Sequence, residues 1–118
     1  MKTLADIENR IKLRKEKAKT ELKNIVEQLK ELGALKIIVF GSYISNRFSS
    51  SSDLDILVIM PDYKSSKEWI DTIYTKVERK ISVDFFIFIK TDYQKNQNKN
   101  FFLKNILNKG KIIYEKKF

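Results

Sequence analysis

Apolar residues in the first quarter of the chain recur at helical spacing: Leu4, Ile7 and Ile11, then Leu22, Ile25, Val26, Leu29 and Leu32. Steps of three and four place each group on one side of a 3.6-residue repeat, so a helix is predicted over 4–32, stopped by Gly33 at the left-handed cap position. Between the groups KLRKEKAKT is polar nearly all round. The first half of the helix is therefore expected to project or pack loosely, and Leu22 to Leu32 to cover the core. Leu35 to Phe40 is a short, β-branched apolar run and reads as a buried strand. Gly41 and Ser42 follow, with YISNRF opening a candidate short helix and Ser49 to Ser52 a polar loop. A second strand begins at Leu54, which points into the core, and runs through Met60 to a stop at Pro61.

The same pattern continues to the end of the chain. Over 67–80, Trp69, Ile70, Ile73, Tyr74 and Val77 share one helical face, and the two aromatics read as core rather than as a stacking platform. Ile81 to Ile89 is a third strand, with Ile81, Val83, Phe85 and Ile87 on one face and Ser82, Asp84, Phe86 and Phe88 on the other. Lys90 to Lys99 reads as a polar loop, Phe101 to Leu107 as a short amphipathic helix ending near Gly110, and Ile112 to Tyr114 as a final edge strand. Strands alternate with helices, and 118 residues make one domain of ordinary size, 1–118.

Composition narrows the chemistry. Cysteine and histidine are absent, which removes disulfides, thiolates, imidazole bases and the usual zinc ligands and leaves carboxylates as the reactive groups. Hard oxygen ligands favour Mg²⁺ or Mn²⁺. The N-terminus lacks the apolar stretch of a secretory signal and no run has membrane-spanning length, so a cytoplasmic location is expected. The net charge of +9 divides unevenly: nine Lys/Arg against five Asp/Glu in residues 1–30, seven against eight in 31–89, and eight against two in 90–118. Basic ends could meet nucleic acid or an acidic protein. Twenty of the 24 basic residues are lysine, however, which suits an ordinary solvated surface, and nucleic-acid binding is not favoured.

The acidic middle carries the candidate site. Asp53 and Asp55 head the apolar run DLDILVIM, and ten residues separate them from Gly41-Ser42. Side chains two apart on a strand point to one face, so both carboxylates can converge on a cation. A small-residue turn after a buried strand lets backbone N–H groups approach a phosphate. Asp84, inside VDFFIF, is expected to be buried, and a buried carboxylate needs a partner, a proton or a metal. A salt bridge would satisfy one isolated aspartate. Three on neighbouring strands favour metal, in the arrangement where two Mg²⁺ ions about 3.5–4 Å apart serve phosphoryl transfer.

On these residues, GSYISNRFSSSSDLDILVIM resembles the nucleotidyltransferase signature of the DNA polymerase beta superfamily, with Asp84 where the third carboxylate of that family would fall. The N-terminal helix, the VDFF strand and FLKNILNKGKIIYE are also similar to the small stand-alone members called minimal nucleotidyltransferases. The resemblance implies a nucleotidyltransferase core of α/β (α+β) class, a small mixed sheet flanked by helices and led by a long N-terminal helix. It implies two Mg²⁺ ions and transfer of a nucleoside monophosphate, with AMP from ATP the leading case, and loss of pyrophosphate. Gly41 and Ser42 would contact the triphosphate, Asp53 and Asp55 both metals, and Asp84 one metal and the attacking hydroxyl. Many relatives carry a basic residue and a glycine soon after Gly-Ser. Here Tyr43, Ile44, Ser45 and Asn46 stand there, so Asn46 is assigned the left-handed turn and Arg47 the positive charge.

Many small relatives are antitoxins beside a HEPN-type ribonuclease, and some modify a tyrosine of that toxin with AMP. The resemblance therefore implies a HEPN-type toxin as protein partner and a toxin–antitoxin role, with the exposed half of the first helix and the basic C-terminal tail as docking surfaces. Two alternatives stay open: a catalytically weak or inactive nucleotide-binding antitoxin that acts by contact, and a transferase acting on a small molecule or an RNA end.

Overall fold

The computed structural model describes residues 3–45, 47–48 and 53–118. Helix α1 spans Leu4–Leu32. Thr3 caps it in a reciprocal box with Asp6, and Gly33, at φ 106°, closes it by donating its N–H to the carbonyls of Leu29 and Lys30. The periodicity divides it as expected. Leu4 and Leu13 are exposed, whereas Ala18, Leu22, Ile25, Val26 and Leu29 are buried. The polar middle is less idle than its composition suggested: the Arg14 guanidinium lies 6.0 Å from the Phe48 ring centre and Lys15 Nζ 5.8 Å from that of Tyr43. These cation–π contacts tie α1 to the segment after Gly41-Ser42.

Strand β1 (Lys36–Phe40) leads into a single 3₁₀ turn over Gly41–Tyr43, and β2 covers Leu54–Met60. Helix α2 (Ser66–Lys76), β3 (Val83–Ile89), helices α3 (Lys90–Asn96) and α4 (Phe101–Lys109), and β4 (Lys111–Glu115) complete the order. The sheet order is β3-β2-β1-β4, mixed: β1 pairs antiparallel with β2 and β4, while β2 and β3 run parallel across the α2 crossover. This is the α+β arrangement expected.

Period-two alternation divides the core between two faces. Ile37, Val39, Ile56, Val58 and Met60 pack against α1 and α2, including Trp69 and Ile73. Ile38, Leu57 and Ile59 face Tyr93 of α3 and Leu103 and Ile106 of α4. Trp69 is core, its indole N–H donating to the Pro61 carbonyl at 2.7 Å, whereas Tyr74 sits at the rim, 40% exposed, and its hydroxyl accepts the Phe85 N–H at 3.0 Å.

Three expectations are corrected. Helix α2 stops at Lys76 rather than Lys80, and β3 starts at Val83 rather than Ile81. The intervening residues are held by side chains of α1: Gln28 exchanges two 2.7 Å hydrogen bonds with the backbone of Glu78, and Glu21 accepts the Lys80 N–H at 2.8 Å. Residues 90–96 form a helix where a loop was predicted, because buried Tyr93 anchors them; its hydroxyl lies 3.2 Å from Lys36 Nζ. One aromatic anchor among six polar residues leaves no periodic signal. Asn46 and Ser49 to Ser52 lie outside the described residues.

Candidate active site

The pairing registers bring the candidate carboxylates together. Asp55 opposes Phe40 on β1 and is in register with Asp84 on β3, so the two carboxylates share the α3/α4 face on strands about 4.8 Å apart. Asp53 stands just before β2, and the Leu54 N–H bonds the Ser82 carbonyl at 3.1 Å, drawing this end of β2 to the start of β3. The burial expected of Asp84 is not found: it is exposed. β3 is an edge strand, and Asp84 lies near its beginning, past the point where Tyr93, Leu103 and Ile106 cover this face. Its partner Asp55 is the half-buried member. Burial first, then the nearby charges of Asp84 and Asp53, pushes the Asp55 carboxyl above the usual carboxylate range.

Gly41 gives Asp55 its space. Its φ of +79° is one that side chains rarely adopt, and a Cβ there would collide with Asp55 Oδ2 and lie 3.2 Å from its Cγ. The glycine that was expected to admit a phosphate thus also admits a carboxylate. Where a short helix was predicted just beyond it, the described residues form the Gly41–Tyr43 turn, with the Ile44 and Ser45 N–H groups bonding back to the Gly41 carbonyl at 3.2 and 3.1 Å.

One opening borders Asp53 and Asp84, and a second borders the Gly41 turn. Toward β3, a cleft of about 650 Å³ is lined by Asp53, Asp84, Arg79, Lys80 and Ser82. The Arg79 guanidinium is fixed there by the Val77 carbonyl at 3.2 Å and by the Tyr74 ring, 5.1 Å away. Toward α4, a cavity of about 640 Å³ is lined by Phe40, Gly41, Ser42, Arg47, Asn105 and Lys109. Gly41, Ser42 and Arg47 therefore meet in one cavity. Asn105 and Lys109 were not among the residues singled out from the sequence; their signal was the polar side of α4, which resembles any solvated helix face.

Among the described residues no three acidic side chains are gathered closely enough to enclose one ion. The donor set still suits a hard divalent cation. It is all oxygen, drawn from two adjoining strands, and Asp55 is held in a field that a cation would relieve.

Known proteins resemble the chain over most of its length. The profile of the polymerase beta nucleotidyltransferase family matches residues 20–118. A protein of Methanocaldococcus jannaschii, named provisionally as a protein adenylyltransferase, is 28% identical over 104 residues, covering 86% of this chain and 100% of that protein. A crystal structure of a provisionally assigned nucleotidyltransferase from Sulfolobus solfataricus superimposes with a TM-score of 0.57 at 16% identity, covering 85% of each chain. The last shares the fold.

Proposed function

Because the chain belongs to the polymerase beta nucleotidyltransferase family, and is a nucleotidyltransferase on that ground, we propose that it moves AMP from ATP to a hydroxyl of a partner protein. The observation that carries the reading is the Asp55–Asp84 register beside a glycine whose missing Cβ leaves the carboxylate its place. Asp55 and Asp84, in register on adjoining strands, would hold Mg²⁺, with Asp53 beside them as a further donor, and the ion would neutralise charge on the phosphates and on the leaving pyrophosphate. Gly41, Ser42 and Arg47 bind the triphosphate from the α4-side cavity. The acceptor enters the β3-side cleft, where Asp84 takes the proton of its hydroxyl. The acceptor oxygen then bonds the α-phosphorus as the bond to the β-phosphate oxygen breaks, and pyrophosphate leaves. The protein contributes chiefly position and electrostatics.

A protein acceptor is supported by the M. jannaschii relative, which is named as a protein adenylyltransferase. We take the acceptor to be a tyrosine of a HEPN-type toxin, the chain to act as its antitoxin as one domain, and the location to be cytoplasmic. None of the helices, among the described residues, is long and apolar enough to cross a membrane. Co-expression with the protein encoded beside it tests the role: Asp53→Asn/Asp55→Asn should still fold yet fail to neutralise the toxin. A double variant that neutralises as well as the wild type would mean that contact alone suffices.

A further inference from the structure

One face of α4 remains without a role. Phe102, Asn105, Ile106 and Lys109 fall at i, i+3, i+4 and i+7, the spacing of a single helical stripe. Ile106 is buried, anchoring the stripe to the sheet, while Asn105 and Lys109 line the cavity that holds Gly41, Ser42 and Arg47. At the other end, Phe102 is 40% exposed and its ring centre lies 6.0 Å from that of Phe40 and 5.4 Å from that of Phe86. Phe40 is the cross-strand partner of Asp55, and Phe86 follows Asp84 on the same face of β3. The stripe thus runs from an aromatic cluster beside the carboxylates to a cation beside Gly41-Ser42. Seven residues at 1.5 Å rise span roughly 10 Å, the scale of a nucleoside carrying several phosphates.

The placement is fixed by close packing. Gly110 directly follows Lys109, and a Cβ there would come within 2.6 Å of Ile38 Cγ2, 2.7 Å of the Ile106 carbonyl and 3.2 Å of the Val39 carbonyl. The end of α4 therefore lies against β1 immediately before the Gly41 turn, and Lys109 is held where the cavity opens.

We propose that this face of α4 is the nucleotide-recognition wall, with Lys109 and Asn105 on the phosphates and Phe102, with Phe40, against the base. The assignment rests on the nucleotidyltransferase reading of the site. An ammonium supplies charge-assisted hydrogen bonds to phosphate oxygens, and a part-exposed aromatic cluster takes any base by its π face. A merely structural α4 would show altered thermal stability without discriminating between ligands.

Equilibrium titration in Mg²⁺ compares inorganic tripolyphosphate with whichever of the four nucleoside triphosphates the wild type binds most tightly. Lys109→Gln should weaken both ligands by about tenfold; Phe102→Leu should weaken the nucleotide by about tenfold and leave tripolyphosphate unchanged. Either variant binding the nucleotide like the wild type, or Phe102→Leu weakening both ligands equally, would overturn the assignment while leaving the family-based reading intact. A wild type that binds no nucleotide at all would overturn both.

Discussion

Gly41→Ala separates a backbone requirement from a chemical one. An L side chain at φ +79° meets the left-handed penalty of about 1–2 kcal/mol, and the new methyl would occupy the place of Asp55 Oδ2, pushing that side chain off its rotamer for about 1 kcal/mol more. The sum is about 2–3 kcal/mol, enough to lower Tm by roughly 10 °C without unfolding a chain of this size. Gly33→Ala is the matched control. Gly33 has φ +106°, but a Cβ there meets only Pro61 Cγ and Tyr63 Oη, both at 3.7 Å. It should lose about 1–2 kcal/mol in a urea titration and keep full transferase activity. Gly41→Ala should lose somewhat more stability and, because the displaced carboxylate belongs to the proposed site, most of the transfer of label from α-labelled nucleotide. A Gly41→Ala protein as active as Gly33→Ala would refute the claim that this glycine makes room for the site.

Asp55→Asn should stabilise the fold at neutral pH. Below the ordinary carboxylate value of 3.8 the folded and unfolded chains are both protonated at this position; as pH rises through the raised folded value, the native state must ionise Asp55 against burial and two neighbouring carboxylates, and stability is lost. The gain from Asn is at most about 1 kcal/mol, since the group is only part-buried and solvent screens it, and thermal melts from pH 3 to 8 should show it only above the acid range. Gln28→Ala removes both hydrogen bonds to Glu78 and should cost about 1–2 kcal/mol, read as faster amide exchange over 78–82. Leu103→Ala, at a fully buried position of α4, should cost about 2–5 kcal/mol by chemical denaturation.

Much of this fold was legible because its signals are local and strong. Helix α1 announces itself by apolar spacing and Gly33, and β2 by an unbroken apolar run that proves buried on both faces. The missed elements depend on contacts distant in sequence. The end of α2 is set by Gln28 and Glu21, some fifty to sixty residues away, and α3 by a tyrosine that finds Lys36 across the sheet. At the site, the two-residue spacing of Asp53 and Asp55 could be read directly, and alternation placed Asp84 on its own strand face. That Asp84 is open to solvent could not be, since an apolar strand sequence does not reveal that it lies at the edge. Nor could the role of Gly41 in sparing Asp55, which depends on a cross-strand register.

The most direct test of the central claim is label transfer. Wild-type protein and Asp53→Asn/Asp55→Asn, each mixed with the protein encoded beside it, are incubated with each α-labelled nucleoside triphosphate in Mg²⁺ and the products are resolved by denaturing electrophoresis. Label on the partner with wild type alone, brightest with ATP, is the predicted result. Equal labelling by the double variant would contradict the carboxylate site, and a stable complex that carries no label with any of the four nucleotides would contradict the transferase.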